Sequence, residues 1–382
     1  MRGLMSKTIT PRETIARLRL TRCAGIGPVT FRRLLDEYAD AATAIEALPE
    51  RLRQAGHRAL AMPLESEIEA EWIRTEKYGG RILFFDDPHY PLLMKNVPDA
   101  PSAVTVLGDV ARLSQKSVAI VGARNASAAG LRMAESLAAG LAEAGIVVVS
   151  GLALGIDRAA HMAALYPGCT VAALAGGIDT IYPPENKALR DDIAARGCLV
   201  TEAPLGTVPQ GRHFPRRNRL IAGMSQGVVV VEGGLRSGTL ITAKMALDYG
   251  RDIFAVPGSP LDPRSRGGND LIRQGAILTE TVDDILRNLA DTVDISRAPP
   301  QTTRKAFDTA QLSLLETSQQ PDNDPRRRIA SLLSNTPISV DDLVDKSQCS
   351  VSVVSSVLSA LELDGEATFL PDGQIVMLQP EV

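Results

Sequence analysis

The chain has 382 residues, 45% hydrophobic and 23% charged, with a net charge of −4. This composition is typical of a globular protein of two or three domains, and the acidic balance excludes a protein that coats nucleic acid with its whole surface. The four cysteines form no CxxC pair, which indicates a reducing cytoplasm and gives no support for a metal site. We find no signal peptide, no apolar run near the ~20 residues of a membrane span, and no motif that calls for a cofactor.

Residues 1–79 predict a small helical domain. Two short helices flank the turn at residues 24–28, where Gly25 and Gly27 surround Ile26 and Pro28 suits a first helical turn. Such a turn resembles a helix-hairpin-helix, whose amides can hold a DNA phosphate. A small helical domain with a tight glycine turn and no ligand is the alternative. One more helix is predicted at residues 65–78.

From residue 81 the pattern changes to short apolar runs separated by helix-length segments. Continuous apolar strands alternating with helices indicate a parallel sheet covered on both faces, with ligands beyond the carboxyl ends of the strands. Helices are predicted at 131–144, 157–164 and 240–249. The predicted strands are residues 82–85, 104–107, 118–121, 146–149, 171–174, 199–201, 228–231 and 253–256.

Two of the strand-end loops carry polar groups near glycines. After the strand at 118–121, Arg124, Asn125 and Ser127 predict a phosphate cradle, although Gly122 and Gly130 alone make no GxGxxG motif. After the strand at 146–149 come Ser150 and Gly151, followed by Asp157 and His161, four residues apart on one helix face. That pair is either catalytic or an ordering hydrogen bond, and we favour the second. In a third loop, Tyr182 and Asn186 are expected to shape the backbone.

Residues 212–219 hold five basic or potentially basic groups around Phe214: Arg212, His213, Arg216, Arg217 and Arg219. We interpret them as a polyanion-binding loop, because arginine is suited to bidentate phosphate contacts and to stacking on bases; a solvated surface loop is the alternative. Phe214 could stack on a base or fill a core. An apolar strand and a glycine-rich turn at 233–239 follow, leading into a helix that carries Lys244.

Several of these motifs together resemble one known family. VAIVGARNAS, VVVSGLALGIDRAAH, LAGGIDTIYPPEN, FPRRNRLIAGMS and VVVVEGGLRSGTLITA occur in the order and spacing of the DNA-processing protein A (DprA/Smf) family, over about residues 80 to 280. The resemblance implies an extended Rossmann-like domain that binds single-stranded DNA without sequence specificity. It further implies a homodimer that protects incoming DNA and loads the RecA recombinase onto it in natural transformation. The implied nucleic-acid-binding residues are Arg124, Asn125, Ser127, Ser150, Gly151, Phe214, Arg217, Asn218, Arg219, Ser237, Gly238 and Lys244.

Since Arg124, Arg217 and Lys244 come from separate segments near strand ends, we expect one pocket to unite them. Arg217→Ala should then weaken DNA binding roughly tenfold or more and leave the melting temperature nearly unchanged.

The competing class is a nucleotide-binding, phosphoribohydrolase-like enzyme of the lysine-decarboxylase-like Rossmann group. EGGLRSGT is similar to its PGGxGTxxE turn, but Glu232 stands at the proline position and Thr242 at the glutamate position. The carboxylate that glycosidic hydrolysis would need is therefore missing there, and no Walker-type loop occurs. We expect no catalytic residues.

After residue 290 the composition indicates a linker at 291–325 and then a winged helix at 326–382. Its candidate recognition helix, residues 350–364, has no basic residue. We therefore expect this domain to serve protein contact or regulation and to add little DNA affinity. The predicted fold is thus an extended Rossmann-like α/β core at residues 80–290, between a helical SAM or helix-hairpin-helix-like domain and a winged helix.

Overall fold

The computed structural model describes residues 10–54, 60–166, 170–235 and 237–289, and in the C-terminal region 325–330, 333, 338–347, 349, 351–363, 366–370 and 374–377. Two compact units divide the chain, Met1–Asp308 and Thr309–Val382. The predicted linker at 291–325 lies outside the described residues except for Pro325, which begins a helix.

Four helices form the N-terminal part of the first unit: α1 (Pro11–Arg22), α2 (Pro28–Glu37), α3 (Ala41–Gln54) and α4 (Glu65–Lys77). The Thr10 side chain accepts a hydrogen bond from the amide of Glu13 and so caps α1. Gly25 adopts a φ of +94° in the turn before α2, a conformation that favours glycine. The predicted helix pair around residues 24–28 and the helix at 65–78 are confirmed.

A nine-stranded sheet forms the centre of the first unit, and all eight predicted strands are confirmed within one or two residues. The strands are β1 (Arg81–Phe84), β2 (Ala103–Gly108), β3 (Ser117–Val121), β4 (Val147–Ser150), β5 (Thr170–Ala173), β6 (Cys198–Thr201), β7 (Gly227–Val230), β8 (Asp252–Ala255) and β9 (Ile277–Leu278). Their order is β1-β2-β6-β5-β4-β3-β7-β8-β9. The short ninth strand was not predicted, because two residues carry no periodicity.

The predicted parallel-sheet core is confirmed, but one edge of the sheet is antiparallel. β2 pairs antiparallel with both β1 and β6, whereas the pairs from β6 to β9 are parallel. Between β1 and β2 the chain forms only the four-residue helix α5 (Leu92–Lys95), too short to cover a sheet face as the crossover helix of a parallel pair does. Runs of apolar residues show which segments are strands, but they carry no sign of strand direction.

The parallel strands bury both faces. Along β3, Ala119 and Val121 join one apolar cluster while Val118 and Ile120 join another on the opposite side. The first face packs against α9 (His213–Met224), α10 (Gly238–Asp248) and α11 (Arg266–Arg273). The second face packs against α6 (Ala128–Glu143), α7 (Ile156–Leu165) and α12 (Val282–Leu289). The remaining helix of this region, α8, spans Lys187–Arg196.

The strand order places a topological switch point at β3 and β7. From β3 the chain proceeds outward to β4, and it later returns to the other side of β3 as β7. Ligands of open α/β sheets bind at such points.

The predicted basic loop at residues 212–219 is mostly helical. α9 begins at His213, and Pro215 lies in its first turn, where a missing backbone N–H costs no helical hydrogen bond. Leu220, Ile221 and Met224 bury one side of this helix. The packing of these apolar residues stabilises α9, and the arginines that precede them lie in the first turns of the same helix.

The second unit is a winged helix with α13 (Pro325–Ala330), β10 (Ile338–Ser339), α14 (Val340–Ser347), α15 (Val351–Leu363), β11 (Ala367–Phe369) and β12 (Gln374–Met377). Its strands form an antiparallel sheet in the order β10-β12-β11. Ile329, Leu343, Val354, Leu358 and Ile375 form its core. Residues 371–373, between β11 and β12, lie outside the described residues.

Candidate nucleic-acid interface

The loop after β3 is held by two glycines that allow close packing. A Cβ on Gly122 would lie 2.5 Å from the Ile156 side chain, and one on Gly155, whose φ is +74°, would lie 2.3 Å from the carbonyl oxygen of Ala123. The loops after β3 and β4 are therefore packed tightly together. Arg124 and Asn125 remain exposed on the outer side.

Ser127 is engaged in capping α6. Its Oγ accepts a hydrogen bond from the amide of Gly130 at 2.9 Å and donates to the Glu232 carboxylate, which also accepts from the Ser127 amide at 2.9 Å. Gly130 is required there, since a Cβ would lie 2.5 Å from the Glu232 carboxyl carbon. These bonds tie the loop after β3 to the end of β7 and leave Ser127 as a support of the cradle.

Buried polar groups brace the loop after β4. The Ser150 hydroxyl is fully buried and donates to the Ile120 carbonyl at 2.6 Å. Asp157 Oδ2 accepts from the Gly151 amide at 3.1 Å, and His161 Nε2 accepts from the Leu152 amide at 3.3 Å. The favoured interpretation of the Asp157 and His161 pair as an ordering device is confirmed, although each bonds the loop separately. Ser150 also supports this loop, through its hydrogen bond to β3.

Burial controls the protonation of His161, which supports the loop after β4. It lowers the pKa of His161 to about 3, with Arg217 adding to the effect, so the imidazole is neutral near pH 7. Thr170 Oγ1 donates to the Val148 carbonyl at 2.9 Å, and His161 Nδ1 lies 2.7 Å from the same oxygen. The proton of the neutral ring is therefore assigned to Nδ1, which leaves Nε2 to accept from Leu152.

Arg217 lies directly on the backbone of Gly151. A Cβ at Gly151 would fall 1.1 Å from Arg217 Nη1, so only glycine fits at this position. The guanidinium is 7% exposed, and its Nη1 lies 3.5 Å from Asp157 Oδ2. Among the described residues, the buried Nε and Nη1 have no hydrogen-bond partner. Burial lowers the pKa of Arg217 and Arg124 lowers it further, whereas Asp157 opposes both. An anion at this position would offset that cost.

Phe214 lies where the two arginines meet. Its ring centroid is 5.2 Å from Arg124 Cζ and 5.8 Å from Arg217 Cζ, within the range of cation–π contacts. Tyr182 approaches the same ring edge-to-face, at 5.7 Å between centroids and 60° between planes. The cleft beside these rings, here called the base cleft, has lining residues that include Leu154, Pro209 and both arginines. Its flat aromatic walls match the shape of a nucleobase.

A second opening, here called the phosphate cleft, lies between Arg124, Arg217 and the N-terminus of α10. Ser237 and Gly238 begin that helix without a side-chain cap. The buried hydroxyl oxygen of Ser237 has no hydrogen-bond partner among the described residues, while Asn218 Nδ2 donates to the Gly238 carbonyl at 3.4 Å. A helix N-terminus beside two arginines is an arrangement that binds phosphate.

Two sequence-predicted residues lie elsewhere. Arg219 faces away from the clefts and pairs with Glu202 and with Asp99, whose carboxylate lies 3.3 Å away. Lys244 is exposed in the second turn of α10 and lines neither cleft. The prediction of one pocket is correct for Arg124 and Arg217 and wrong for Lys244, because the helix carries that residue about 9 Å from the α10 N-terminus.

The sequence interpretation missed two features of the site. Tyr182 was expected only to shape its loop, yet its ring contacts Phe214. The Gly151 contact with Arg217 joins β4 to α9 across the sheet edge, and no local sequence signal reports it. Within the part of the chain that the structure describes, no cluster of His, Cys, Asp and Glu could hold a metal ion, and no helix could span a membrane.

The fold and site define a Rossmann-like α/β protein with clefts lined by arginines and aromatic rings at its switch point, in a chain that also carries a helix-hairpin-helix domain and a winged helix. The family model described as DNA recombination-mediator protein A matches residues 81–290, more than half of the chain. Models of a DprA-like N-terminal HHH domain and a DprA winged helix domain match residues 11–73 and 315–373. The chain belongs to the DNA processing protein A (DprA) family.

Relatives and solved structures agree with this assignment. DNA processing protein DprA of Bacillus subtilis is 44% identical over 240 residues, which cover 60% of this chain and 81% of the relative. Protein Smf of Escherichia coli is 35% identical over 326 residues, 85% and 84% of the two chains. DprA of Streptococcus pneumoniae superimposes with a TM-score of 0.56 at 39% identity, covering 59% and 78%. DNA processing protein A of Helicobacter pylori, described for its single-stranded DNA binding mode, gives 0.51 at 29%, covering 55% and 95%.

Proposed function

We propose that this protein binds single-stranded DNA with little sequence preference at the carboxyl edge of its central sheet. The observation that carries the proposal is the placement of Arg124 and Arg217, both within 6 Å of Phe214 and beside the N-terminus of α10. Phosphates would be held by the arginines and the helix terminus, and a base would lie against Phe214 and Tyr182. Stacking and phosphate contacts do not distinguish bases strongly, which accounts for the low sequence preference.

Each proposed site residue has a role in this binding mode. Arg124, Asn125 and Arg217 would contact phosphates, with Ser237, Gly238 and Asn218 lining the phosphate cleft. Ser127, Ser150 and Gly151 would act through the loops that they hold in place. Arg219 would keep α9 in position, because both of its acid partners lie on the side away from the clefts.

Within this proposal, the protein acts as a homodimer that protects the strand and loads RecA recombinase onto it during natural transformation, in the cytoplasm. Support for this finer statement comes from family membership and from the description of the family as a recombination mediator. Binding of the strand by its phosphates and one stacked base would leave other base edges accessible for a recombinase. That geometry suits a protein that transfers single-stranded DNA to a recombinase.

A phosphoribohydrolase-like enzyme is the alternative, and we infer that the chain is not a catalyst. Glu232 is 8% exposed, and its carboxylate is occupied by the amide and hydroxyl of Ser127. Asp157 is bonded to the Gly151 amide and lies beside Arg217. Both carboxylates therefore already have partners, whereas hydrolysis of a glycosidic bond needs a carboxyl group free to exchange a proton.

The test compares fluorescence anisotropy for a labelled single strand of about 20 nucleotides, longer than the ~4–16 nucleotides that one binding module usually covers, its duplex and a mononucleotide. We expect the single strand to bind most tightly, scrambled sequences to bind equally, and affinity to fall steeply with salt, with a log–log slope of about −0.7 per phosphate contact. A mononucleotide that binds as tightly and is turned over would favour the enzyme. RecA filament formation on a protected strand is measured separately, so that loading can fail while binding stands.

A further inference from the structure

Arg124 lines a third opening besides the base cleft and the phosphate cleft. This opening, here called the helical groove, runs between α6 and α7 and is lined by Asn125, Leu131, Arg158 and Met162 among others. Arg124 is exposed, and its contact with Phe214 does not neutralise it. Among the described residues no carboxylate pairs with it. One guanidinium group thus connects three openings along the same edge of the sheet.

The helical groove combines an apolar wall with positive charge. Met162 is 54% exposed on α7, and Leu131 of α6 lies on the opposite wall. Arg158 donates to two neutral acceptors, the Glu185 carbonyl at 3.2 Å and Asn186 Oδ1 at 2.8 Å. Within the described part of the chain its charge has no carboxylate partner. A ligand with both an apolar face and a negative group fits these walls.

We propose that the helical groove is a second nucleotide subsite, which takes the nucleotide adjacent in the same strand to the one at Phe214. The inference rests on the proposed single-stranded DNA binding and extends it. Arg124 would contact the phosphate that joins the two nucleotides, because it lines both the phosphate cleft and the groove. The base would lie against Met162, whose thioether makes favourable contacts with aromatic rings.

Glu135, exposed on α6, fixes the orientation of that nucleotide. Its carboxylate lines the groove and would repel a phosphate, but it can accept hydrogen bonds from the amino groups of a base. The base therefore points toward α6 and α7, and the phosphate toward Arg124. Continuity with the phosphate cleft and this distribution of charge favour a strand over an isolated small anion.

The test is Met162→Asp, which places a negative charge in the groove at an exposed position that should not disturb folding. Tyr166→Asp is the matched control, since Tyr166 is 90% exposed one turn further along and does not line the groove. For a strand of about 20 nucleotides, we expect Met162→Asp to weaken binding roughly five- to tenfold and Tyr166→Asp to leave it unchanged. A deoxynucleoside carrying phosphates on both sides of its sugar fills only the first subsite, so its affinity should change in neither variant.

Two further arms separate the failure of this inference from failure of the proposed function. If Phe214→Ala weakens binding of the long strand and Met162→Asp does not, the groove is not a subsite, while the DNA-binding function stands. If neither change matters, the strand does not bind at this edge of the sheet. Equal weakening by Met162→Asp and Tyr166→Asp would mean that DNA affinity depends only on the overall charge of α7, and the groove would then not be a subsite. Met162→Ala, which keeps the charge unchanged, should weaken long-strand binding about twofold.

Discussion

Two arginines of the same helix, Arg217 and Arg219, have opposite surroundings. Arg219 has two acid partners: it pairs with Glu202, donates to the Asp99 carbonyl at 2.8 Å, and leaves only its buried Nε without a hydrogen bond among the described residues. Arg217 has one distant acid partner at 3.5 Å and two buried nitrogens without hydrogen bonds among the described residues. Two residues of an α-helix differ by about 200° in direction, so one side chain faces the clefts and the other faces away.

On the proposed function, one basic motif therefore contains both a binding residue, Arg217, and a structural one, Arg219. A cation that is already paired with carboxylates gains little from a phosphate, whereas a cation with few partners gains much. The neighbouring charges, and not the arginine itself, decide which function it has. The following experiments, in order of decreasing expected effect, test or refine this distinction.

Arg217→Ala should reduce both stability and DNA affinity. Removal of the guanidinium leaves the buried Asp157 carboxylate without its cation, at a cost of about 3 kcal/mol in the free energy of unfolding. Because Arg217 is buried, we now expect a lower melting temperature, where the sequence alone predicted an unchanged one. Affinity should fall roughly tenfold or more. Chemical denaturation and anisotropy measure the two effects.

The control is the double variant Arg217→Ala with Asp157→Asn, which removes the unpaired charge. It should regain most of the stability while the DNA affinity stays low. Recovery of both would mean that Arg217 only holds the fold, which would abolish the distinction between the two arginines.

Arg219→Ala should mainly destabilise the protein. The change removes charge-assisted hydrogen bonds to Glu202 and Asp99 and should lower the free energy of unfolding by about 2 kcal/mol. For a unit of this size that is a shift of roughly 3 °C in melting temperature. DNA affinity, measured where the variant remains folded, should stay within about twofold. Normal stability with lost binding would assign Arg219 to the DNA site and contradict the comparison.

The buried His161 should make the stability of the protein sensitive to acid. The unfolded chain protonates His161 near its ordinary pKa of about 6.5, whereas burial lowers the folded pKa to about 3. The unfolded state thus binds more protons between these values, and stability falls as pH drops, by at most about 1.4 kcal/mol per pH unit. His161→Gln should be less stable at pH 7 but show a flatter dependence from pH 6.5 to pH 4, as denaturation at several pH values would reveal. An equally steep profile would assign the acid sensitivity to another group.

Phe214→Ala should weaken DNA binding by about 1 kcal/mol, near the low end for loss of a stacked base, because two guanidinium groups already cover part of the ring. Phe214→Tyr should bind nearly as the wild type. If affinity is unchanged in the alanine variant while Arg217→Ala still binds poorly, the site holds phosphates only and no base stacks there.

Lys244→Ala should have the smallest effect. The side chain is exposed and lines neither cleft, so we expect less than a twofold change in affinity and a salt slope that falls by less than one contact. A tenfold loss would instead show that the strand continues over α10. It would also restore the assignment that the family resemblance implied.

The sequence by itself determined eight of the nine strands of the central sheet and several residues of the candidate site. Strands such as β7 were predictable because residues 228–231 are all apolar, as strands buried on both faces must be. Arg124, Arg217, Phe214 and Gly238 were identified because strand ends and glycine turns mark the ligand-binding edge of an α/β sheet.

The tertiary structure decided the direction and environment of those groups. The helical path of residues 213–224, set by packing of Leu220, Ile221 and Met224 on the sheet, turns Arg217 toward the clefts and Arg219 toward Asp99. Gly151 admits Arg217 only because β4 and α9 meet in space. The antiparallel edge formed by β1 and β2 likewise depends on pairing between distant segments. Local residue patterns report burial and period, but these contacts join residues far apart in the chain, and only the packed fold fixes them.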